Sequence, residues 1–443
     1  MVQPSFLNRV NLQGISDKPD KKKYRIIFYG DSPTCATGFG QVSRNILPAL
    51  HATGRFEIQV LGINYWGDPH GYPFPIWPMA INNTKDPYGR QRLQQHLLDP
   101  QLEYDMLFFM QDTFILDNLP GLLGSLRQAG KRFKSVFYYP IDGIPKKAWV
   151  ESAAGVDVPV TYTQFGFDQS VALVPELKNR LKIIPHGVEP AIFKPMPKEQ
   201  ILDFRRKYLG PLADKFIITN VNRNQQRKDI PATLRAFVEF RKHRPDSVLY
   251  LHMAPIDQGW NLPEVIRSFG LDMSKDVILP NNFSPATGFP LDVLNFIYNM
   301  SDLVISTTLG EGWGLSFIEA MACRVPIVFP MNTGLGERIT EETGFTYKSG
   351  GDMDHITVLP NDNEVLRPVA HIPDLVEKLV FAYDHPEERV KRADAAYKMV
   401  TENLLWGKHV TPQWVSLFET LATQKIVAPS LESVNPVLKG EVL

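Results

Sequence analysis

A chain of 443 residues, 44% apolar and 21% charged, with a formal charge of −1, has room for two cores of roughly 200 residues each. Near-neutral charge gives no bulk attraction to nucleic acid or an anionic membrane and leaves only local patches for such contacts. Two cysteines far apart, Cys35 and Cys323, exclude a disulfide framework or zinc knuckle and point to a reducing, cytoplasmic compartment. The opening MVQPSFLNRVNLQG lacks the apolar core of a signal peptide, and no apolar run approaches the length of a membrane span.

Residues 1–23 are polar, end in lysines and read as a flexible lead-in. Arg25–Tyr29 predicts a strand, followed by a loop holding Gly38, Phe39 and Gly40 and a helix through Val42, Ile46, Leu47 and Leu50. That is the first unit of a doubly wound domain, although Gly38-x-Gly40 lacks the third glycine of a dinucleotide fingerprint. Glu57–Ile63 predicts the next strand. Tyr65–Asp86 is too proline-rich for regular structure. Its aromatic rings, among them Trp66, Tyr72, Phe74 and Trp77, offer stacking faces to an acceptor or else serve packing. Met106–Met110 and Ser135–Tyr139 predict strands ending at Asp112 and Asp142, the end where open parallel sheets bind ligands. Asp142 is thus a site candidate, with a turn cap before Gly143 as the alternative. Lys131, Arg132, Lys134, Lys146 and Lys147 read as a solvated edge.

Val158–Tyr162 and Leu181–Ile184 supply further strands, and Ile184-Pro185-His186-Gly187-Val188-Glu189-Pro190 makes a stiff hinge with His186 as a linker residue. Phe216–Val221 opens a second run of alternating elements; after it come Arg223 and Lys228, then an amphipathic helix through Leu234, Phe237 and Phe240. His252, inside the apolar strand Val248–Met253, reads as a satisfied core histidine. Asp302–Ile305 predicts a buried strand, and Leu315, Ile318, Glu319 and Ala322 share one helical face, so a helix opens near Gly314. The glycines between leave peptide N–H groups uncovered at a helix N-terminus, an anion site. Glu311 and Glu319 bracket it, and carboxylates accept hydrogen bonds from hydroxyls. Phosphate donors beside hydroxyl acceptors suit a sugar nucleotide. Val325–Phe329 is a strand, Asn332–Glu337 a loop, and the late Asp352-Met353-Asp354 is read as coincidence, so no metal site is assigned. Helices follow at about 371–384 and 386–403. Trp406, Trp414, Leu417, Phe418 and Leu421 have helical spacing within 404–427, and 428–443 reads as a tail.

Glu311 and Glu319, seven residues apart within EGWGLSFIEAMACRVPIV, resemble the Glu-x7-Glu signature of retaining glycosyltransferases of the GT-B fold, family 4 (glycosyl transferases group 1) in particular. The likeness covers most of 24–427 and is strongest over 216–337. It implies an α/β architecture of two Rossmann-like doubly wound domains facing across a cleft. Residues 24–186 would form the acceptor side, 187–403 the nucleotide-sugar side, and the helix at about 404–427 would cross back to the first domain. Arg223 and Lys228 resemble the family's Gly-Arg-x4-Lys-Gly diphosphate clamp, with Asn222 and Asp229 replacing the glycines. Arginine forks two phosphate oxygens and lysine adds a mobile point charge, neutralising the departing diphosphate.

The same resemblance places Gly38, Phe39 and Gly40 against donor phosphate or acceptor. It sets Glu311 with the backbone of Gly312, Trp313, Gly314 and Leu315 around the sugar, and Glu319 on the ribose hydroxyls. Asp142 would stand near where many relatives have a cleft histidine, Glu337 would shape the nucleotide pocket, and His186 and Glu189 replace the usual Asn and Asp of the inter-domain segment. The function implied is transfer of a hexose with retention from a nucleoside diphosphate sugar, a UDP-sugar favoured, without metal or other cofactor. A GT-B phosphorylase or sugar synthase, and a non-catalytic sugar-nucleotide-binding protein, are the alternatives. Thr37–Asn45 resembles versions in bacteriophage-encoded members, which adds hydroxymethylated bases of viral DNA to glycans, lipids and small molecules as acceptors, and a host cytoplasm as compartment. Oligomeric state has no signature in the chain.

Overall fold

A computed structural model describes residues 22–80, 85–284, 288–360 and 362–424; most of the expected lead-in and the whole expected tail lie outside them. Strands β1 (Tyr24–Asp31), β2 (Phe56–Ile63), β3 (Ile76–Pro78), β4 (Met106–Met110), β5 (Lys134–Tyr138), β6 (Val158–Thr161) and β7 (Lys182–Ile183) form one parallel sheet in the order β3-β2-β1-β4-β5-β6-β7. The second parallel sheet has the order β10-β9-β8-β11-β12-β13, built from β8 (Phe216–Val221), β9 (Ser247–His252), β10 (Val277–Ile278), β11 (Leu303–Ile305), β12 (Ile327–Pro330) and β13 (Phe345–Tyr347). An antiparallel hairpin, β14 (Ile356–Val358) and β15 (Leu366–Pro368), follows. The central strands are buried on both faces and read as continuous apolar runs for that reason. Two doubly wound α/β domains of this arrangement make the GT-B fold.

One expectation needs correction here. Tyr65–Asp86 is not wholly irregular, since Ile76–Pro78 adds β3 to the sheet edge, with Val60, Leu61 and Gly62 opposite Ile76, Trp77 and Pro78. Proline is tolerated there because an edge strand needs only one side of its backbone for the ladder.

The chain passes between the domains twice, side by side. The Val188 amide donates to the Leu404 carbonyl at 2.8 Å and the Trp406 amide to the Val188 carbonyl at 3.1 Å. Gly187 is required at this crossing, because a Cβ there would lie 2.8 Å from the Trp406 nitrogen. Beyond it the helix Thr411–Thr423 packs on the first domain, as the resemblance implies. Trp414 is wholly buried, its ring 5.2 Å from Phe108 and 4.7 Å from Tyr138, and Phe418 lies 6.1 Å from Phe56. Among the described residues, no helix is long and apolar enough to cross a membrane.

Candidate active site

The carboxyl ends of both sheets face a cleft of about 1230 Å³. Of the residues singled out from sequence, Gly38, Phe39, Asp142, Arg223, Lys228, Glu311, Gly312, Trp313, Gly314, Leu315 and Glu319 all line it. Gly40 does not. It sits behind the wall, where a Cβ would meet the Cys35 carbonyl at 2.5 Å, and it lets the helix Gly38–Ala52 pack closely on its own loop. The aromatic loop is also away from the cleft, since Trp66, Tyr72, Phe74 and Trp77 are absent from its lining. Tyr72 stacks on Phe74 at 5.5 Å and donates to the Pro33 carbonyl, so packing claims those two rings, whereas Trp66 and Trp77 are exposed.

Lys228 is aimed by a short turn, Gln226–Lys228, between β8 and the helix Ile230–His243. Asp229 closes that turn at φ +41° and caps the helix by accepting from the Ala232 amide at 3.3 Å. Aspartate is among the few residues that serve both purposes, which accounts for its standing where glycine was expected. The Lys228 ammonium pairs with Glu311. Burial and the neighbouring Arg227 push its pKa down to about 8, while Glu311 opposes them. Burial also raises the Glu311 carboxyl, but Lys228 and Arg227 outweigh it and hold the group below its ordinary value. Arg223 lies in the same cleft, 41% exposed, with its guanidinium on Asp257 at 2.7 and 3.2 Å.

The loop after β11 is fixed at Glu311, whose amide donates to the Thr333 hydroxyl at 3.0 Å. Gly314 then turns into the left-handed region at φ +85° and the helix Leu315–Ala322 begins with no side-chain cap. Leu315 and Ser316 line the cleft at this helix start, so their amides are the anion donors it offers, while the Phe317 amide is bonded to the Gly314 carbonyl. Glu319, one turn on, is buried; Tyr298 donates to it at 2.6 Å. Burial pushes its pKa up to about 7 against hydrogen bonds from Tyr298 and Gln41.

Two arginines that were not singled out from sequence complete this electrostatic set. Arg227 pairs with Asp142 at 3.2 Å and Glu311 at 3.8 Å and donates to the Gly310 carbonyl. Arg367, on β15, donates to the Asp142 carbonyl at 2.6 Å and its carboxylate at 3.1 Å while pairing with Asp362 at 2.6 Å. Burial would raise the Asp142 pKa, yet these two cations bring it below its ordinary value. Asp142 is thus a bridge between domains as well as a cleft residue. Gly310 allows that approach, since a Cβ there would be 2.0 Å from the Asp142 carbonyl oxygen. Arg227 was open to recognition as Lys228's neighbour; Arg367 had no local signal, being 225 residues from its partner.

Glu337 also departs from expectation. It is outside the cleft lining and accepts from the Gln164 amide at 2.8 Å and from the Phe165 amide, capping a first-domain helix, Gln164–Leu173, across the interface. The structural reason is that the 3₁₀ turn Thr333–Glu337 leads away from the Glu311 loop toward the first domain.

The first-domain wall carries Asp31, Asp112, Tyr162 and His186. Burial and the neighbouring Asp142 push the Asp112 pKa up to about 7, and burial raises Asp31 as well. His186 is a cleft residue with its pKa driven down to about 3 by burial, its ring 4.1 Å from Tyr162 and 5.5 Å from Trp313. His252 hydrogen-bonds Tyr250 at 3.2 Å, as a satisfied core histidine should, and also reaches the cleft beside Phe283 and Phe289.

Outside the cleft, Asp352, His355 and His371 bring ligand atoms within 4.8 Å of one another. The two imidazoles are stacked 3.3 Å apart and nearly parallel. A metal lies in the plane of each imidazole that binds it, so these rings do not converge on one ion.

Residues 217–357 match the family model described as Glycosyl transferases group 1. A D-inositol 3-phosphate glycosyltransferase of Acidothermus cellulolyticus is 29% identical over 187 residues, 41% of this chain and 40% of that one. The GDP-mannose-dependent alpha-(1-6)-phosphatidylinositol monomannoside mannosyltransferase of Mycolicibacterium smegmatis is 28% identical over 189 residues, 41% and 46% of the two chains. The matched region thus spans less than half the length of either relative. Sucrose-phosphate synthase from Thermosynechococcus elongatus superposes with a TM-score of 0.66 at 16% identity, covering 90% of this chain and 99% of that one. Anabaena HepE, solved in complex with UDP-glucose, gives 0.63 at 14% identity over 90% and 100%. Likeness at such identities shows the fold alone.

Proposed function

We infer that this GT-B chain, whose residues 217–357 match the glycosyl transferases group 1 model, transfers a hexose from a nucleoside diphosphate sugar, a UDP-sugar by preference, to an acceptor hydroxyl with retention of configuration. One observation carries the reading: Arg223, Lys228, the uncapped start of helix Leu315–Ala322 and the carboxylates Glu311 and Glu319 share a single cleft. The cations and peptide N–H groups take the diphosphate. Glu319 accepts from the ribose hydroxyls, Glu311 faces the hexose, and the rings of Phe283 and Phe289 stand at the base end.

In the transfer step, the acceptor oxygen bonds to the anomeric carbon as the bond from that carbon to the diphosphate oxygen breaks. The acceptor's proton passes to the departing phosphate oxygen, so no side-chain base is required. Lys228 and Arg223 meet the charge that builds on the leaving group, and metal or another cofactor is not called for by the residues assembled there. Closure of the two domains keeps water from the donor.

The test is a screen of nucleotide sugars, including UDP-glucose and GDP-mannose, for slow hydrolysis, with NMR of the released or transferred sugar to read its anomeric configuration. Lys228→Ala is expected to lose about 100-fold or more in kcat, the scale of removing one transition-state charge partner. A wild type that leaves every donor intact overturns the proposal; an inverted product overturns its stereochemical part.

A further inference from the structure

Glu311 is held by two cations, one toward each carboxylate oxygen. The Lys228 ammonium pairs with Oε1, and the Arg227 guanidinium stands 3.8 Å from Oε2. The two are tethered differently. Lysine carries a point charge at the end of a flexible stem, whereas a guanidinium is a planar fork that stays where its prongs are engaged. Arg227 is engaged on three sides. Its Nη1 donates to the Gly310 carbonyl, its Nε pairs with Asp142 at 3.2 Å, and its own carbonyl accepts from the Leu309 amide at 2.8 Å. Asp142 is fixed in turn by Arg367 at 3.1 Å.

That difference matters once a diphosphate enters the cleft. Its oxygens compete with Glu311 for the Lys228 ammonium, and a flexible stem lets the ammonium follow them. Glu311, with a side chain 14% exposed, would then be a nearly buried carboxylate beside an arriving anion, with Asp142 close by. Such a setting draws a proton onto the carboxylate or turns it away. A cation that stays at Oε2 while Lys228 moves prevents both.

We propose that Arg227 is a positioning residue for the transfer: it keeps Glu311 ionised and aimed at the sugar while Lys228 is given over to the leaving diphosphate. This rests on the transferase reading above and adds how the Lys228–Glu311 pair can part without stranding the carboxylate. The groups that hold Arg227 are protein groups, so it acts through Glu311 and not on the donor. Burial and then Arg227 lower the Lys228 pKa to about 8, against Glu311 and Asp142. Arg227 joins Lys228 in lowering Glu311, against its burial and Asp142. The other charges acting on Arg227 itself are Arg367 and Asp112. Loss of the guanidinium therefore raises both Lys228 and Glu311. The alkaline limb of a kcat/KM profile, where Lys228 gives up its proton, moves up with it. The diphosphate of a nucleotide sugar is esterified at both ends and does not titrate there.

The experiment follows consumption of radiolabelled UDP-glucose and GDP-mannose by the full-length protein. Arg227→Gln is expected to lose about thirtyfold in kcat, the scale of a misplaced group, with donor KM changing less than about threefold. In a Glu311→Gln background the same substitution should cost less than about threefold, because the residue it acts through is already gone. Arg227→Gln should also move the alkaline limb up by about one pH unit, while Arg227→Lys, which keeps the charge, leaves it in place. Equal losses in the two backgrounds, or an alkaline limb that Arg227→Gln does not move, overturn the assignment. A limb that Arg227→Lys moves as far as Arg227→Gln does the same. So does a donor KM that rises as kcat falls, which would make Arg227 a ligand of the diphosphate. A wild type that consumes neither donor fails the transferase reading itself, an outcome distinct from all of these.

Discussion

Glu319 shows how burial turns a hydrogen-bonding residue into a titrating one. A carboxyl confined between Tyr298 and the helix Leu315–Ala322 has its pKa pushed up to about 7 from an ordinary 4.5. The folded protein therefore holds a proton that the unfolded chain releases between about pH 4.5 and 7. The stability this contributes is complete below pH 4.5 and is lost as pH rises through 7, an amount on the order of 3 kcal/mol. Urea unfolding of wild type and Glu319→Gln at pH 5 and pH 8 should show the glutamine variant gaining about that much relative to wild type at the higher pH. Ribose hydroxyls donate best to the ionised form, so the ratio of wild-type to Glu319→Gln affinity for UDP, in which the titrations of Lys228 and of UDP itself cancel, should rise from pH 5 to 8 in calorimetry. Parallel pH profiles for the two proteins in both measurements would remove Glu319 from the site.

At the scale of elements, the hairpin β14–β15 acts as a clasp on the first domain. Arg367 holds Asp142 from one side as Arg227 holds it from the other, and Lys146 pairs with Glu364 at 2.6 Å on the hairpin's turn. The Arg367 side chain is nearly fully buried, so removing it leaves Asp142 and Asp362 short of a partner. Asp142 keeps Arg227 and both carboxylates are partly exposed, so the loss is on the order of 1–3 kcal/mol, that of hydrogen bonds to a charged group. Arg367→Ala should accordingly speed amide exchange over 142–146 and 356–368 without doing so in β1 or β8. Exchange that rises uniformly across both sheets would show a general loss of stability instead of a released clasp.

Such a clasp also shows where sequence reading reaches its limit. Strands β1, β4 and β8, the helix opening at Gly314 and the terminal crossing helix were legible because each is written in a local apolar period or a glycine stop. Lys228 and Glu311 were legible as parts of two separate compact motifs, the Arg223–Lys228 pair and the Glu311–Glu319 stretch. Arg367 and Asp31 were not, since their places in the cleft arise only when segments far apart in sequence meet. Glu337 was misassigned for the same reason: its carboxylate is used by Gln164 and Phe165, which no spacing rule connects to it. His186 was legible as a hinge residue, but its contact with Tyr162 and Trp313 depends on how the two domains close.

For the molecule as a whole, the paired crossings at Val188 and Leu404–Trp406 are the natural pivot, and the ties at Glu337 and Arg367 join the two domains away from it. Motion about such a pivot opens the cleft without unpacking either sheet, because Trp414 and Phe418 travel with the first domain. Glu337 is exposed, and its carboxylate meets two N–H groups at a helix start, an interaction worth about 1 kcal/mol at a solvated site. Losing it should shift the balance between closed and open forms roughly fivefold. Because the carboxylate touches no cleft residue, Glu337→Ala should act only through that balance. Domain-to-domain FRET should move toward larger separations in the free protein and return on adding UDP, and donor hydrolysis relative to transfer should rise as water gains entry. An unchanged FRET distribution with an altered hydrolysis ratio would instead place Glu337 in the chemistry, and unchanged values of both would mean that the Arg367 clasp alone sets closure.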